Sequence, residues 1–173
     1  MTGFMGVGKS TVARHLARLT GKRRVDLDDE IEYQLKLPIP KLIEEEGIER
    51  FRKVETETLS RILRARRVAI ISLGGGAWIT EENRRMIKEE GVTAVWLETP
   101  FDHCWRNIRY SRKERQLIKN KRKARKLFEE RERFYCLADW HFVIDRGYNS
   151  FDIARQIASD IFLIDTPEDR RAF

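Results

Sequence analysis

Gly3-Phe4-Met5-Gly6-Val7-Gly8-Lys9-Ser10 fits the pattern G-x-x-x-x-G-K-[ST] at every fixed position, and that pattern describes a loop that cradles phosphate. Glycines at 3, 6 and 8 let the backbone fold tightly, so that successive N–H groups turn inward toward anionic oxygens. Lys9 adds a point charge for β- and γ-phosphates, and the Ser10 hydroxyl is a ligand suited to Mg²⁺. From Thr11 on, Val12, Ala13, Leu16 and Leu19 follow helical spacing, and the positive end of that helix faces the same anion. A glycine-rich turn without a ligand would leave the closing Lys and Ser unexplained. A phosphate loop normally follows a buried strand in the middle of a parallel sheet. Here only Met1 and Thr2 precede Gly3. The sheet centre is therefore expected to be thin, this form is expected to fold poorly alone, and a few apolar residues are expected upstream in the natural protein.

The 173 residues are 41% hydrophobic, enough for one domain, 1–173, with its own core. No apolar run approaches the ~20 residues of a membrane helix. The N-terminus lacks the layout of a signal peptide, which points to a cytoplasmic protein without membrane attachment. Cys104 and Cys136 show no C-x-x-C spacing and are expected as free, buried thiols. His15, His103 and His141 are scattered, which argues against a metal held by protein nitrogens. The formal charge of +7 is concentrated between Trp105 and Arg133, where thirteen Lys/Arg stand against four Glu. Few aromatics interleave with these cations, so a basic flap over polyphosphate beside a solvated helix face is favoured over a nucleic-acid patch.

Beyond the first helix, which ends near Thr20 with Gly21 as its cap, strand and helix patterns alternate. Arg24–Leu27 reads as a short strand. Helical spacing resumes at Glu30, breaks at Pro38 and Pro40, and runs on to Gly47. Phe51, Val54, Thr58, Leu59 and Ile62 mark an amphipathic helix. Val68–Leu73 is a continuous apolar run, as in a buried parallel strand, and it enters Gly74-Gly75-Gly76. Thr80 is expected to cap a helix closed by Gly91. Thr93–Leu97 and His141–Ile144 read as strands, with a helix from Pro100 after the first and a closing helix capped by Ser150 after the second. Residues 165–173 read as a frayed tail. Strands divided by helices give a parallel sheet covered on both faces, a three-layer α/β/α fold. Ligands gather at the carboxyl ends of such strands, and here those ends carry the phosphate loop, Asp-Leu-Asp-Asp and the triple glycine. Asp26 and Asp28 suit a metal-bound water and a substrate hydroxyl, although D-x-D at a strand end serves equally as a helix cap. Arg52 and Glu55, three apart on one helix, are placed for the carboxylate to fix the guanidinium, although a plain surface pair is the commoner outcome of that spacing.

In order, G-F-M-G-V-G-K-S-T, D-L-D-D-E-I-E, F-R-K-V-E from Phe51, S-L-G-G-G and R-E-R-F-Y-C-L-A-D from Arg131 resemble the shikimate kinase family. The resemblance spans nearly the whole chain. It implies a P-loop kinase fold with strand order 2-3-1-4-5, the first strand all but missing here, and a mobile lid at about 109–122. It implies ATP and shikimate as partners and Mg²⁺ as cofactor; a monomer is the default expectation. Lys9, Asp28 and Arg115 would then be catalytic. Gly3, Met5, Gly6, Val7, Gly8, Lys9, Ser10, Thr11, Arg109 and Arg115 would bind ATP. Asp28, Arg52, Gly74, Gly75, Gly76 and Arg131 would bind shikimate. Ser10, with Asp26 through water, would hold the metal. A kinase for another hydroxy acid such as gluconate, and an inactive binding relative, are the alternatives. The family usually carries proline after the lid arginine, where this chain has Gln116, so a looser lid is expected.

Overall fold

The computed structural model describes residues 1–110, 120–144 and 147–164. Helix α1 (Lys9–Thr20) is followed by β1 (Arg24–Asp26), α2 (Leu27–Leu35), α3 (Ile39–Ala65) and β2 (Ile70–Ser72). A single 3₁₀ turn at Ala77–Ile79 leads into α4 (Glu81–Glu89), β3 (Val95–Glu98) and α5 (Phe101–Tyr110). The remaining elements are α6 (Lys121–Tyr135), β4 (Trp140–Val143) and α7 (Ser150–Phe162).

The strands form two parallel pairs, β1 with β2 and β3 with β4. What joins them is the shortest segment of all. Thr2 N donates to Val95 O at 2.8 Å, and Leu97 N returns to Thr2 O at 3.0 Å. On the other side Leu73 N donates to Met1 O at 3.0 Å, and the Met1 α-amino group donates to Ile71 O at 2.6 Å. Met1 and Thr2 thus hold the place of the central strand, reduced to one parallel bridge, Thr2 with Trp96. Read across the sheet, this order is the 2-3-1-4-5 of the sequence reading. The amino-terminal side of that place is open. An apolar slot of about 320 Å³ lies beside Met1, walled by Leu16, Ile70, Ile71, Val92, Val95 and Ile157.

Local chemistry sets the helix ends. Gly8, at φ 99°, is the N-cap of α1, and Gly21 ends that helix at φ 65°. Val12, Ala13 and Leu16 face the core from α1 and meet α7, whose Ile153, Ala154, Ile157 and Ala158 are buried. On the other face Leu42, Phe51, Val54 and Leu59 of α3 are buried with Ile87 of α4. Each fully buried aliphatic side chain contributes roughly 1.5–3 kcal/mol. Gly47, at φ 85° and ψ 165°, interrupts α3 with non-helical backbone, matching the break expected there.

Several sequence expectations shift in detail. Helix α2 begins at Leu27 rather than Glu30, because Asp26 accepts from Asp28 N and caps it. Asn149, not Ser150, caps α7 through a reciprocal box with Asp152. Thr80 sits at the N-cap of α4 without a side-chain hydrogen bond. Cys104 is buried as expected, whereas Cys136 is exposed, because it follows the last turn of α6 at the surface. Among the described residues, no helix is long and apolar enough to cross a membrane, and no group of three or more His, Cys, Asp or Glu is placed to hold a metal ion.

Candidate active site

The phosphate loop occupies the turn between the Met1–Thr2 bridge and α1. Lys9 is almost fully buried, and its Nζ donates to Gly3 O at 2.9 Å and Phe4 O at 3.0 Å. The ammonium is thereby held across the mouth of its own loop. From behind, Asn107 Nδ2 donates to Gly6 O at 2.7 Å. A β-carbon on Gly6 would stand 2.6 Å from Cys104 O, so the loop fits against α5 only with glycine there. Met5 and Thr11 are half-buried and Val7 is buried; Val7 N donates to Phe4 O and Thr11 N to Gly8 O. Ser10, on the first turn of α1, donates from Oγ to Asp26 Oδ2 at 2.5 Å. The other oxygen of Asp26 accepts from Asp28 N at 3.2 Å. Asp26 is thus both the helix cap and the partner of Ser10, and the two readings of D-x-D are compatible.

Opposite the loop, the three glycines after β2 are each covered by a different side chain. A β-carbon on Gly74 would lie 2.5 Å from Asp28 Oδ1, and one on Gly76 would collide with the Arg52 guanidinium. At Gly75 the nearest atoms to such a carbon would be Arg131 Nη1 at 3.4 Å and Met5 N at 3.5 Å. Asp28, Arg52 and Arg131 therefore converge on the backbone of three consecutive glycines beside the phosphate loop. A side chain on Gly74 or Gly76 would displace the group that lies over it.

Arg52 Nη1 donates to Glu55 Oε2 at 2.5 Å. The arginine side chain is 29% exposed and the glutamate only 1%, so the charge pair is anchored at its buried end. Burial raises the Glu55 pKa above the usual carboxylate value; the Arg52 charge, its hydrogen bond and the Arg131 charge act in the opposite direction. Glu55 Oε1 is buried and has no hydrogen-bond partner among the described residues, which leaves an acceptor for a ligand hydroxyl or a water. The sequence reading used Glu55 only to brace Arg52; its unsatisfied oxygen depends on burial and is not visible in spacing.

Arg131 reaches over from α6 and donates from Nη1 to Gly75 O at 3.2 Å. Tyr135, one turn further on, donates its hydroxyl to the same carbonyl at 2.5 Å. Trp78 Nε1 donates to Phe134 O at 2.9 Å, so the end of α6 is tied to the segment after the glycines at both Gly75 and Trp78. Arg109 lies exposed in the last turn of α5. Arg115 and Gln116 lie outside the described residues.

Three carboxylates, two guanidiniums and a buried ammonium thus stand around one cleft, with a phosphate loop on one wall and bare backbone on the other. Such a set accepts a polyphosphate together with a small hydroxylated acid. Comparison with known proteins agrees with this description. The family model described as shikimate kinase matches residues 5–162. A shikimate kinase of Persephonella marina is 35% identical over 161 residues, covering 93% of this chain and 96% of the relative. Among solved structures, shikimate kinase from Acinetobacter baumannii in complex with shikimate superposes with a TM-score of 0.84 at 33% identity, covering 94% of this chain and 90% of that one. The shikimate kinase of Bacteroides thetaiotaomicron gives 0.84 at 26% identity, with 94% and 96% covered.

Proposed function

The chain belongs to the shikimate kinase family, and from that premise we propose how its residues divide the transfer of the ATP γ-phosphoryl group to the 3-hydroxyl of shikimate. The products are shikimate 3-phosphate and ADP. The observation that carries the reading is the convergence of Asp28, Arg52 and Arg131 on Gly74–Gly76, next to the phosphate loop.

Amides from Gly3 to Thr11 and the Lys9 ammonium receive the triphosphate, and the N-terminus of α1 adds its partial positive charge. Arg52 and Arg131 clasp the shikimate carboxylate as planar forks, a geometry that lysine cannot reproduce. Asp28 accepts from the ring hydroxyls, orienting the attacking oxygen and taking its proton late in transfer. Because the transition state is loose, alignment and charge neutralisation supply most of the acceleration. The Ser10 hydroxyl and the Asp26 carboxylate, 2.5 Å apart, are hard oxygen donors of the kind Mg²⁺ selects. Ser10 would bind the ion directly and Asp26 through water, and the bound ion would offset charge on the phosphate oxygens. Arg115 would approach the transferring group and Arg109 the adenine as the segment at 109–122 closes, excluding water. On this reading the enzyme works as a monomer in the cytoplasm.

A coupled assay of ADP release with shikimate, quinate and gluconate tests this. Turnover is expected with shikimate and is expected to be lost in Asp28→Ala. Turnover only with gluconate would assign a different acceptor, and ATP binding without any turnover would leave an inactive relative.

A further inference from the structure

Gly75 O is the one backbone acceptor in the cleft that meets two side-chain donors among the described residues, and the two are unequal. Tyr135 donates at 2.5 Å and Arg131 at 3.2 Å. The tyrosine is 1% exposed, its ring lies 6.2 Å from that of Trp96, and it ends helix α6, which Trp78 fixes through Phe134 O. Its hydroxyl therefore cannot follow a ligand. Arg131 stands on a long, partly exposed side chain and can. We propose that Tyr135 is a positioning residue for acceptor binding: by satisfying Gly75 O on its own, its hydroxyl leaves the Arg131 guanidinium available for the shikimate carboxylate.

The physical argument concerns what happens to the carbonyl when substrate arrives. A forked contact with a carboxylate uses two N–H groups on one edge of the guanidinium, whereas here Nη1 is turned toward Gly75 O. Swinging it away would strip an acceptor of its donor if nothing else reached that atom, and unsatisfied acceptors away from water are disfavoured. With Tyr135 in place the carbonyl keeps its shorter bond. Burial pushes the tyrosine pKa up to about 12, so the hydroxyl remains a donor at neutral pH. The same bond fixes the peptide plane between Gly75 and Gly76, and with it the direction in which the Gly76 N–H points.

The inference rests on the carboxylate-clasp reading of Arg131. Steady-state kinetics of Tyr135→Phe, Arg131→Lys and the double variant separate the two. Phenylalanine retains the ring packed near Trp96, and a thermal melt within a few degrees of the parent would verify the fold. For Tyr135→Phe the KM for shikimate is expected to rise about three- to tenfold, with the KM for ATP and kcat within about twofold. The double variant is expected to be no worse than Arg131→Lys alone, because both changes act through one contact. An unchanged shikimate KM in Tyr135→Phe, a parallel rise for ATP, or additive losses in the double variant would overturn the role given to Tyr135. An unchanged shikimate KM in Arg131→Lys would instead remove the clasp itself.

Discussion

At the carboxyl ends of the strands every glycine of Gly74–Gly76 is covered by a charged side chain, and the phosphate loop is braced from beneath by α5. At the amino ends, Met1 and Thr2 alone span the gap between β2 and β3, with a slot of about 320 Å³ beside them. The two ends of the same sheet thus differ in how completely they are packed. The contrast teaches that geometry for chemistry and resistance to unfolding are held by different residues. Met1 and Thr2 lead directly into the phosphate loop and so set its direction. The apolar slot lies at the opposite end, lined by Leu16, Ile70, Val95 and Ile157 rather than by groups of the cleft.

If the two ends are separable, perturbing one should leave the other's property intact. The largest effect is expected from Lys9→Ala, which removes the charge at the loop mouth. A fall in kcat of about 10³-fold is expected, read in the ADP-release assay; retention of more than a tenth of the activity would break the assignment. Next comes pH, which should act on the thin end. Burial, and secondarily the charge of Lys9, lower the Met1 α-amino pKa from 8.0 to about 5. The unfolded chain therefore binds the extra proton between these values, so stability is full above pH 8 and declines as pH falls toward 5. The loss is expected to reach roughly 4 kcal/mol in total. Urea titrations at several pH values would measure it, and blocking the amine by acetylation should flatten the slope. A stability that does not vary over this range would show that the sheet centre is not the weak point.

Gly76→Ala sharpens the contrast from the other side. Its backbone, at φ −109° and ψ −17°, is open to any residue, so the obstacle lies in the side-chain end of Arg52, whose guanidinium supplies the three nearest atoms. The shikimate KM is expected to rise about 10²-fold, while the melting temperature stays within a few degrees. The smallest effect is expected for Glu55→Gln. Arg52 loses its anionic brace, so the shikimate KM should rise about tenfold, whereas the raised Glu55 pKa shows that burial disfavours the ionised carboxylate, so its replacement should leave stability unchanged or slightly higher. In the parent, shikimate affinity should weaken as pH falls through the raised Glu55 pKa, because a protonated carboxyl no longer pairs with the guanidinium. A steady KM across that range would count against the bracing role.

Most of the cleft was legible because its signals are local in the chain. The phosphate loop, Asp26 with Asp28, Arg52 with Glu55 and the triple glycine each occupy a few consecutive residues. That these groups share one cleft was implied by the family resemblance rather than by their spacing. Tyr135 was not legible in this way. Its significance depends on a carbonyl 60 residues earlier, and a tyrosine at the end of a helix reads simply as core. The unsatisfied oxygen of Glu55 is likewise a product of burial. The central strand escaped for a different reason. Two residues are too few to show any periodicity, yet backbone hydrogen bonds on both sides suffice to place them. At Cys136 and Asn149 the misreadings were of one residue's exposure and one residue's register, both decided by tertiary contacts.

Cys104 and Asn107 sit one turn apart on α5, and both touch Gly6: one through its carbonyl, the other through its amide. That helix consequently acts as a chassis bolted to the nucleotide cradle. A tilt of α5 by a few degrees would re-aim the cradle's amides without breaking a bond. Anything that strains the helix near Tyr110 is transmitted to the phosphates as leverage rather than as new chemistry.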